Sequence, residues 1–285
     1  MDFEKLFDGM ELSSDGRKSF YELYARRNEP EFSASVAEAF EVYEKGDVEF
    51  GEYIAAFATK QNVPAAVLTL YIYMLMCEKS ISFYNEKGID VNIFYATMRD
   101  VTEQCECNLK NDGVYGIPQV IYRRWFRRYI GCEIFRLGRF NFQVSESIYD
   151  TEIEGIVVKK GDPCISVHIP GGSGLAEDVC EESYALAREF FKKYFGMETP
   201  IFFCCSWLIQ PWLAEDLPGD SSIVKFQSKY KIIDFVDDPG DMLRWVFPET
   251  CENPEDYPED TSVRRAAKAR IIRGDIIGYG SGVRV

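Results

Sequence analysis

The chain has a single histidine, and it stands in the stretch SVHIPGGSGLAEDVC, where His168 is followed by Ile169, Pro170, Gly171, Gly172, Ser173 and Gly174. Histidine is the side chain whose ordinary titration range spans neutrality, so His168 could take a proton from an amine or a bound water. It serves equally as a half-buried side chain satisfied by a neighbouring carbonyl. Glycines leave backbone amides uncovered, and a helix beginning just beyond them adds N–H groups without intrahelical partners. Such a turn can cradle a phosphate with no charged side chain. Its spacing is neither Gly-x-Gly-x-x-Gly nor Gly-x-x-x-x-Gly-Lys-Ser/Thr. Glu177, Asp178, Glu181 and Glu182 come next, and acids in the first turns of a helix compete with an anion for its dipole. A plain reversal of the chain is therefore the alternative.

Other reactive side chains narrow the chemistry. Ser206 ends the apolar run FFCCS, but no Gly-x-Ser-x-Gly elbow surrounds it and there is no second histidine, which excludes a serine hydrolase of the usual kind. Lys225, Lys229 and Lys231 would counter a phosphate if their segment approached the glycine turn. In RRWFRR, Arg123 and Arg127, like Arg124 and Arg128, lie four apart on a helix, and salt bridges to the other half of the chain are expected of them. The nine cysteines include no Cys-x-x-Cys pair, so no metal site is expected, and reduced thiols in a cytoplasmic protein are the default. Cys204 and Cys205 point to opposite faces of a strand, and both are expected to be buried. Trp207 and Trp212 either line a pocket or pack in the core.

These side chains need a scaffold, and the composition supplies one. Of 285 residues, 46% are hydrophobic and 15% aromatic, enough for a sizeable core. A formal net charge of -15 suits neither nucleic acid nor an anionic membrane. The N-terminus reads as lacking a secretion segment, and Val63–Cys77 as a buried helix too short to span a bilayer. Up to Gly131 the apolar spacing is helical, with Gly46 and Gly88 as left-handed helix ends, a helix from about Asp90 to Leu109, and another opened by Pro118.

After Gly131 strands take over. Residues 132–145 alternate as one run, and 153–170 read as two strands joined by a Lys-Gly-Asp turn. A helix over 175–195 carries the stripe Leu175, Val179, Leu186, Phe190 and Tyr194. A buried strand, a short helix at SSIVKFQSKY, the strand KIIDFVDD, an acidic loop Pro248–Asp260, a helix at SVRRAAKARIIR and a closing strand complete the chain. The fold expected is α+β, an all-helical domain over 1–131 followed over 132–285 by a mixed α/β domain with a central twisted sheet.

Several short stretches in order, GCEIFRLGRFNF, SVHIP with its glycine turn, CCSWLIQPWL and LPGDSSIVKFQ, resemble a two-domain group of bacterial acyltransferases. That group joins a helical N-acyltransferase-type N-terminal domain to a C-terminal domain with the GNAT fold of N-acetyltransferases, and the likeness covers most of the chain. The resemblance implies acetyl-CoA or another acyl-CoA as cosubstrate, an amine acceptor, and direct attack without a covalent enzyme species. It places the pyrophosphate on Ile169, Gly171, Gly172, Ser173 and Gly174 with Lys225 nearby. His168 would be the base, and Tyr230 or Ser206 would protonate the CoA thiolate. The turn departs from the family pattern in having no arginine or glutamine at its head. That departure, with the acids that follow, favours a second possibility: a non-catalytic interaction module on the same fold, its acidic loop suited to a basic peptide or polyamine.

Overall fold

A computed structural model describes residues 1–118, 121–172, 174–247 and 253–285. The chain divides into two compact units, Met1–Arg136 and Leu137–Val285.

The first unit is helical: α1 (Phe3–Gly9), α2 (Ser14–Tyr24), α3 (Pro30–Lys45), α4 (Asp47–Gln61), α5 (Ala65–Lys87), α6 (Val91–Asp112) and α7 (Ile121–Ile130). Side-chain oxygens of Asp2, Ser13 and Asp90 cap α1, α2 and α6, each accepting from an amide left unpaired in the first turn. Gly88 and Gly113 end α5 and α6 in the left-handed region, so α6 runs three residues past Leu109 before it breaks. Gly46 differs from expectation, because its φ of 150° lies outside the left-handed helical region, and the residue joins α3 directly to α4. By length and composition α5 could cross a membrane, but its residues Leu68 to Met74 are all buried, as befits a core helix.

The RRWFRR pairing also turns out differently. Arg123 is buried and meets Asp47 within the same unit, Nε donating to Oδ1 at 3.0 Å, and Gly51 leaves the room its guanidinium needs. Residues 119 and 120, where a helix was expected to continue from Pro118, lie outside the described residues.

The run 132–145 is interrupted. β1 (Ile134–Leu137) contains the division between the units, and Gly138 with φ 66° turns the chain through Arg139 into β2 (Phe140–Glu146). β3 (Thr151–Ile153) and β4 (Ile156–Val158) pair with each other across Glu154-Gly155. β4 therefore does not form a hairpin with β5 (Pro163–His168), which pairs antiparallel with β2 instead. The remaining elements are α8 (Glu177–Phe195), β6 (Phe202–Ser206), α9 (Trp212–Asp216), α10 (Ser222–Ser228), β7 (Lys231–Val236), α11 (Gly240–Val246), α12 (Ser262–Arg273) and β8 (Tyr279–Arg284). Strands of the second unit lie in the order β2-β5-β6-β8-β7, with β5 and β6 parallel and the other neighbours antiparallel. The second unit is thus the mixed α/β half of an α+β chain.

α8 covers one face of this sheet. Its Tyr184 ring packs against Phe140, Phe142 and Phe202, and the buried stripe is Cys180, Ser183, Tyr184, Ala187, Phe190 and Phe191. Val179 and Leu186, expected to face inward, are 40% and 46% exposed. Trp212 packs with Leu213, Met242, Val246 and Ala267 in a second core beneath α9, α11 and α12, with Trp207 against it.

β8 fits between β6 and β7 because it lacks side chains where neighbours press closest. A Cβ on Gly280 would lie 2.6 Å from the Ile209 carbonyl oxygen, and one on Gly282 would lie 2.9 Å from Tyr230 Cβ. Gly280→Ala is expected to cost about 1–3 kcal/mol of stability, as overpacking does. Gly219→Ala, where a Cβ meets nothing within 4 Å, is expected to be near neutral. Urea denaturation of the two variants checks both.

Candidate functional site

The sheet opens between its two parallel strands. β5 and β6 pair through Ile165 with Phe202, Ser166 with Phe203 and Val167 with Cys204, and no further. Both strands continue on their outer sides: His168 still pairs with Asn141 on β2, while Cys205 and Ser206 pair with Ser281 and Gly280 on β8. The β5–β6 ladder therefore stops at Val167 and Cys204, before either strand has ended on its outer side. The carboxyl ends of parallel strands are where open α/β sheets take ligands.

The glycine turn sits at the end of β5, between the opening and α8. Gly172 has φ 91°, a conformation side chains rarely adopt. Gly174 is different: a Cβ there meets nothing within 4 Å and its φ is ordinary, so nothing within the described chain demands glycine at that place. Ser173 lies outside the described residues. Ala176 precedes α8 and, having no polar side chain, caps none of the first amides of this 19-residue helix, which have no intrahelical acceptor.

The cation absent from the turn's own sequence arrives from elsewhere. Arg139, at the corner between β1 and β2, is buried and donates from Nη2 to the Pro170 carbonyl at 2.8 Å and from Nε to the Gly174 carbonyl at 3.2 Å. Two of the four acids that follow the turn are engaged by cations. Glu177 binds Lys229 at 2.6 Å, and Glu181 is gripped by Arg284 through contacts of 3.0 and 2.9 Å. These partners hold both carboxyls below the usual carboxylate range. The end of α10 thus meets the start of α8, and the exposed Lys225 acts in the same direction on Glu177.

On the face away from α8, strand alternation collects Gln143, Ser145, Cys164, Ser166 and His168. A cavity of about 140 Å³ opens there, lined by Glu146, Tyr149, Ser166, His168, Cys205 and Ser281 among others. His168 Nε2 is 3.0 Å from Gln143 Oε1. An amide oxygen only accepts, so in this contact Nε2 is the donor. The Tyr149 hydroxyl lies 3.0 Å from Asp234 Oδ2 and 3.0 Å from the Ser281 hydroxyl. Cys205 is exposed, contrary to expectation, whereas Cys204 is buried. Desolvation, with Asp241 and Asp234 nearby, raises the Cys205 thiol above its ordinary range, so it keeps its proton and makes a poor nucleophile.

Ser206 stands at the open end of β6, its oxygen accepting from the Leu208 amide at 3.2 Å. Tyr230 lies on the α8 side, buried, its hydroxyl against that of Tyr184. Burial pushes both phenols far above their ordinary range, so both are neutral. Ile169 follows His168 into the turn and is half-buried. A larger cavity, about 720 Å³, lies wholly within the helical unit and contains none of the expected site residues. In the acidic loop, Glu259 and Asp260 are taken by Lys268 and Arg264, at 2.8 and 3.0 Å, and residues 248–252 lie outside the described residues.

Comparison with known proteins adds a family. Residues 134–284 match the family described as the GNAT-like C-terminal domain, and residues 1–132 match the N-acyltransferase N-terminal domain. No curated protein matches. Among solved structures, an acyltransferase in complex with decanoyl-CoA and teicoplanin is similar with a TM-score of 0.73 and 20% identity, over 99% of this chain and 86% of that one. An acyltransferase in complex with decanoyl-CoA gives 0.66 and 19%, over 100% and 99%. Another, with CoA and 10C-teicoplanin, gives 0.65 and 23%, over 77% and 67%. At such identities the likeness is one of fold.

Arg139 carries a structural prediction of its own. Arg139→Met keeps the apolar stem and removes both donors to the turn, at an expected cost of about 1–3 kcal/mol. Amides of the segment 170–176 should then exchange hydrogen faster while those of β2 and β5 are unchanged, which exchange mass spectrometry reads directly.

Proposed function

The chain belongs to the family that joins an N-acyltransferase N-terminal domain to a GNAT-like C-terminal domain, and on that premise we propose that it is an acyl-CoA-dependent N-acyltransferase. The observation that carries the proposal is the early end of the β5–β6 ladder beside an uncapped helix start. An elongated, amide-bearing arm suits such an opening, because its own amides and carbonyls can pair with a strand edge. The amides of Gly172, Gly174 and the start of α8 would hold the pyrophosphate, together with Ile169 and Ser173 in the same turn. Arg139 and Lys225 would supply positive charge. The fit is supported by the open space around Gly172 and Gly174, where even a Cβ would touch nothing within 4 Å.

Acyl-CoA supplies an activated thioester carbonyl and a thiolate leaving group. His168 takes the proton of the acceptor amine, directly or through one water, while Gln143 holds the ring at Nε2. Backbone N–H groups along the parted strand edges meet the negative charge that develops on the carbonyl oxygen. The thiolate is then protonated by Ser206, at the open end of β6, or by Tyr230 from beneath the sheet. An amine acceptor accords with the cavity beside His168, whose lining among the described residues includes Glu146 and no lysine or arginine. The family and the solved acyl-CoA complexes support the donor class, with acetyl-CoA the simplest member and decanoyl-CoA the one held by two of the neighbours above.

A thermal shift with acetyl-CoA, decanoyl-CoA and CoA, with ADP as control, tests the donor. At a hundred times its dissociation constant a ligand adds roughly 2.7 kcal/mol to the native state. Absence of any shift at millimolar CoA would replace the reading with that of a non-catalytic interaction module. With an acceptor amine in hand, His168→Ala is expected to lower kcat about 10²–10⁴-fold with little change in Tm. Whichever of Ser206→Ala and Tyr230→Phe lowers kcat the more identifies the acid.

A further inference from the structure

We propose that Trp245 is the stacking platform for the adenine ring of the donor, an assignment that rests on the acyl-CoA reading. α11 is anchored on one side by Met242 and Val246, both buried in the second core of its unit. Trp245 projects from the same helix and is 51% exposed. Tryptophan has the most apolar surface to hide, and among the described residues no ring or charged group stacks on this indole.

Its position gives the exposure a direction. A Cβ on Gly171 would lie 3.9 Å from Cζ3 of Trp245, so the indole edge stands one side-chain atom away from the first glycine of the turn. φ at Gly171 is ordinary, and among the described residues the indole is the group its Cβ would meet. A larger side chain at 171 would lie against the ring, whereas glycine keeps the ring accessible from the turn. A ligand whose pyrophosphate rests on Gly172, Gly174 and the start of α8 carries its base a short arm away, and the indole is the flat apolar surface beside that arm. Stacking recognises any planar heteroaromatic ring and needs no hydrogen-bond register, which suits a single exposed indole on a short helix. The chemical class recognised is a purine nucleotide, here the 3′,5′-ADP portion of CoA.

The test uses the full chain with three probes: CoA and 3′,5′-ADP by titration calorimetry, and S-acetyl-pantetheine, which lacks the nucleotide, as donor in turnover. Trp245→Ala is expected to weaken CoA and 3′,5′-ADP about tenfold or more and to leave kcat/KM for S-acetyl-pantetheine unchanged. Trp245→Phe should recover most of the CoA affinity. Equal CoA affinity in wild type and Trp245→Ala overturns the assignment while the donor reading stands. Equal losses for CoA and S-acetyl-pantetheine also overturn it, since they mark a damaged site rather than a lost stack. A wild type that binds no CoA overturns the donor reading and this assignment with it.

Discussion

A guanidinium held out of water under a glycine turn is the interaction on which the candidate site depends. A buried charge is tolerable only when hydrogen bonds replace its hydration. Arg139 finds them at the carbonyls of Pro170 and Gly174, at the two ends of the turn. The same charge reaches α8, where burial raises the Cys180 thiol and Arg139 draws it the other way. One side chain thus links the corner before β2, the loop after β5 and the helix that follows. The turn's shape is imposed by a neighbour, which frees its own residues to be small.

Around that point the sheet is divided by simple alternation. Phe140, Phe142 and Phe202 turn to α8 and are covered by Tyr184, so that face is apolar and closed. Gln143, Ser166 and His168 turn to the other face, and Ser166 and His168 line the cavity there. The gap between β5 and β6 is where the two environments meet. A group lodged in it would have a rigid apolar wall behind and polar side chains in front, the combination that fixes a reactive carbonyl while leaving one side open to attack.

Much of this was legible in the sequence, because much of it is local. Helix ends at Gly88 and Gly113, the strand holding His168 and the glycine turn before a helix are written in neighbouring residues. The failures share a cause. Glu177 and Glu181 looked hostile to an anion because their partners, Lys229 and Arg284, lie 52 and 103 residues further along the chain. Arg139 was absorbed into an alternating strand, since nothing nearby in sequence shows that it closes on Pro170. Even there one signal was present: Gly138 beside an arginine is turn chemistry, and it broke a run that alternation alone had joined. The RRWFRR pairing went to Asp47 rather than to the other half of the chain for the same reason, since sequence gives charge and spacing but not the partner.

The glycines of β8 bear on how the second unit comes into being. β8 lies between β6 and β7 yet follows both in the chain, so during synthesis those two strands emerge with no partner between them. Until it arrives, β6 and β7 each present an unpaired inner edge, the kind of surface that recruits other chains. A strand that is smooth on one face, with Gly280 and Gly282 lying against Ile209 and Tyr230, can enter a slot already walled on both sides without waiting for side chains to repack. Pairing across such separations is slow to nucleate. The arrival of β8 is thus the earliest moment at which those edges can be covered, and until it pairs this half of the protein presents the surface that chaperones bind.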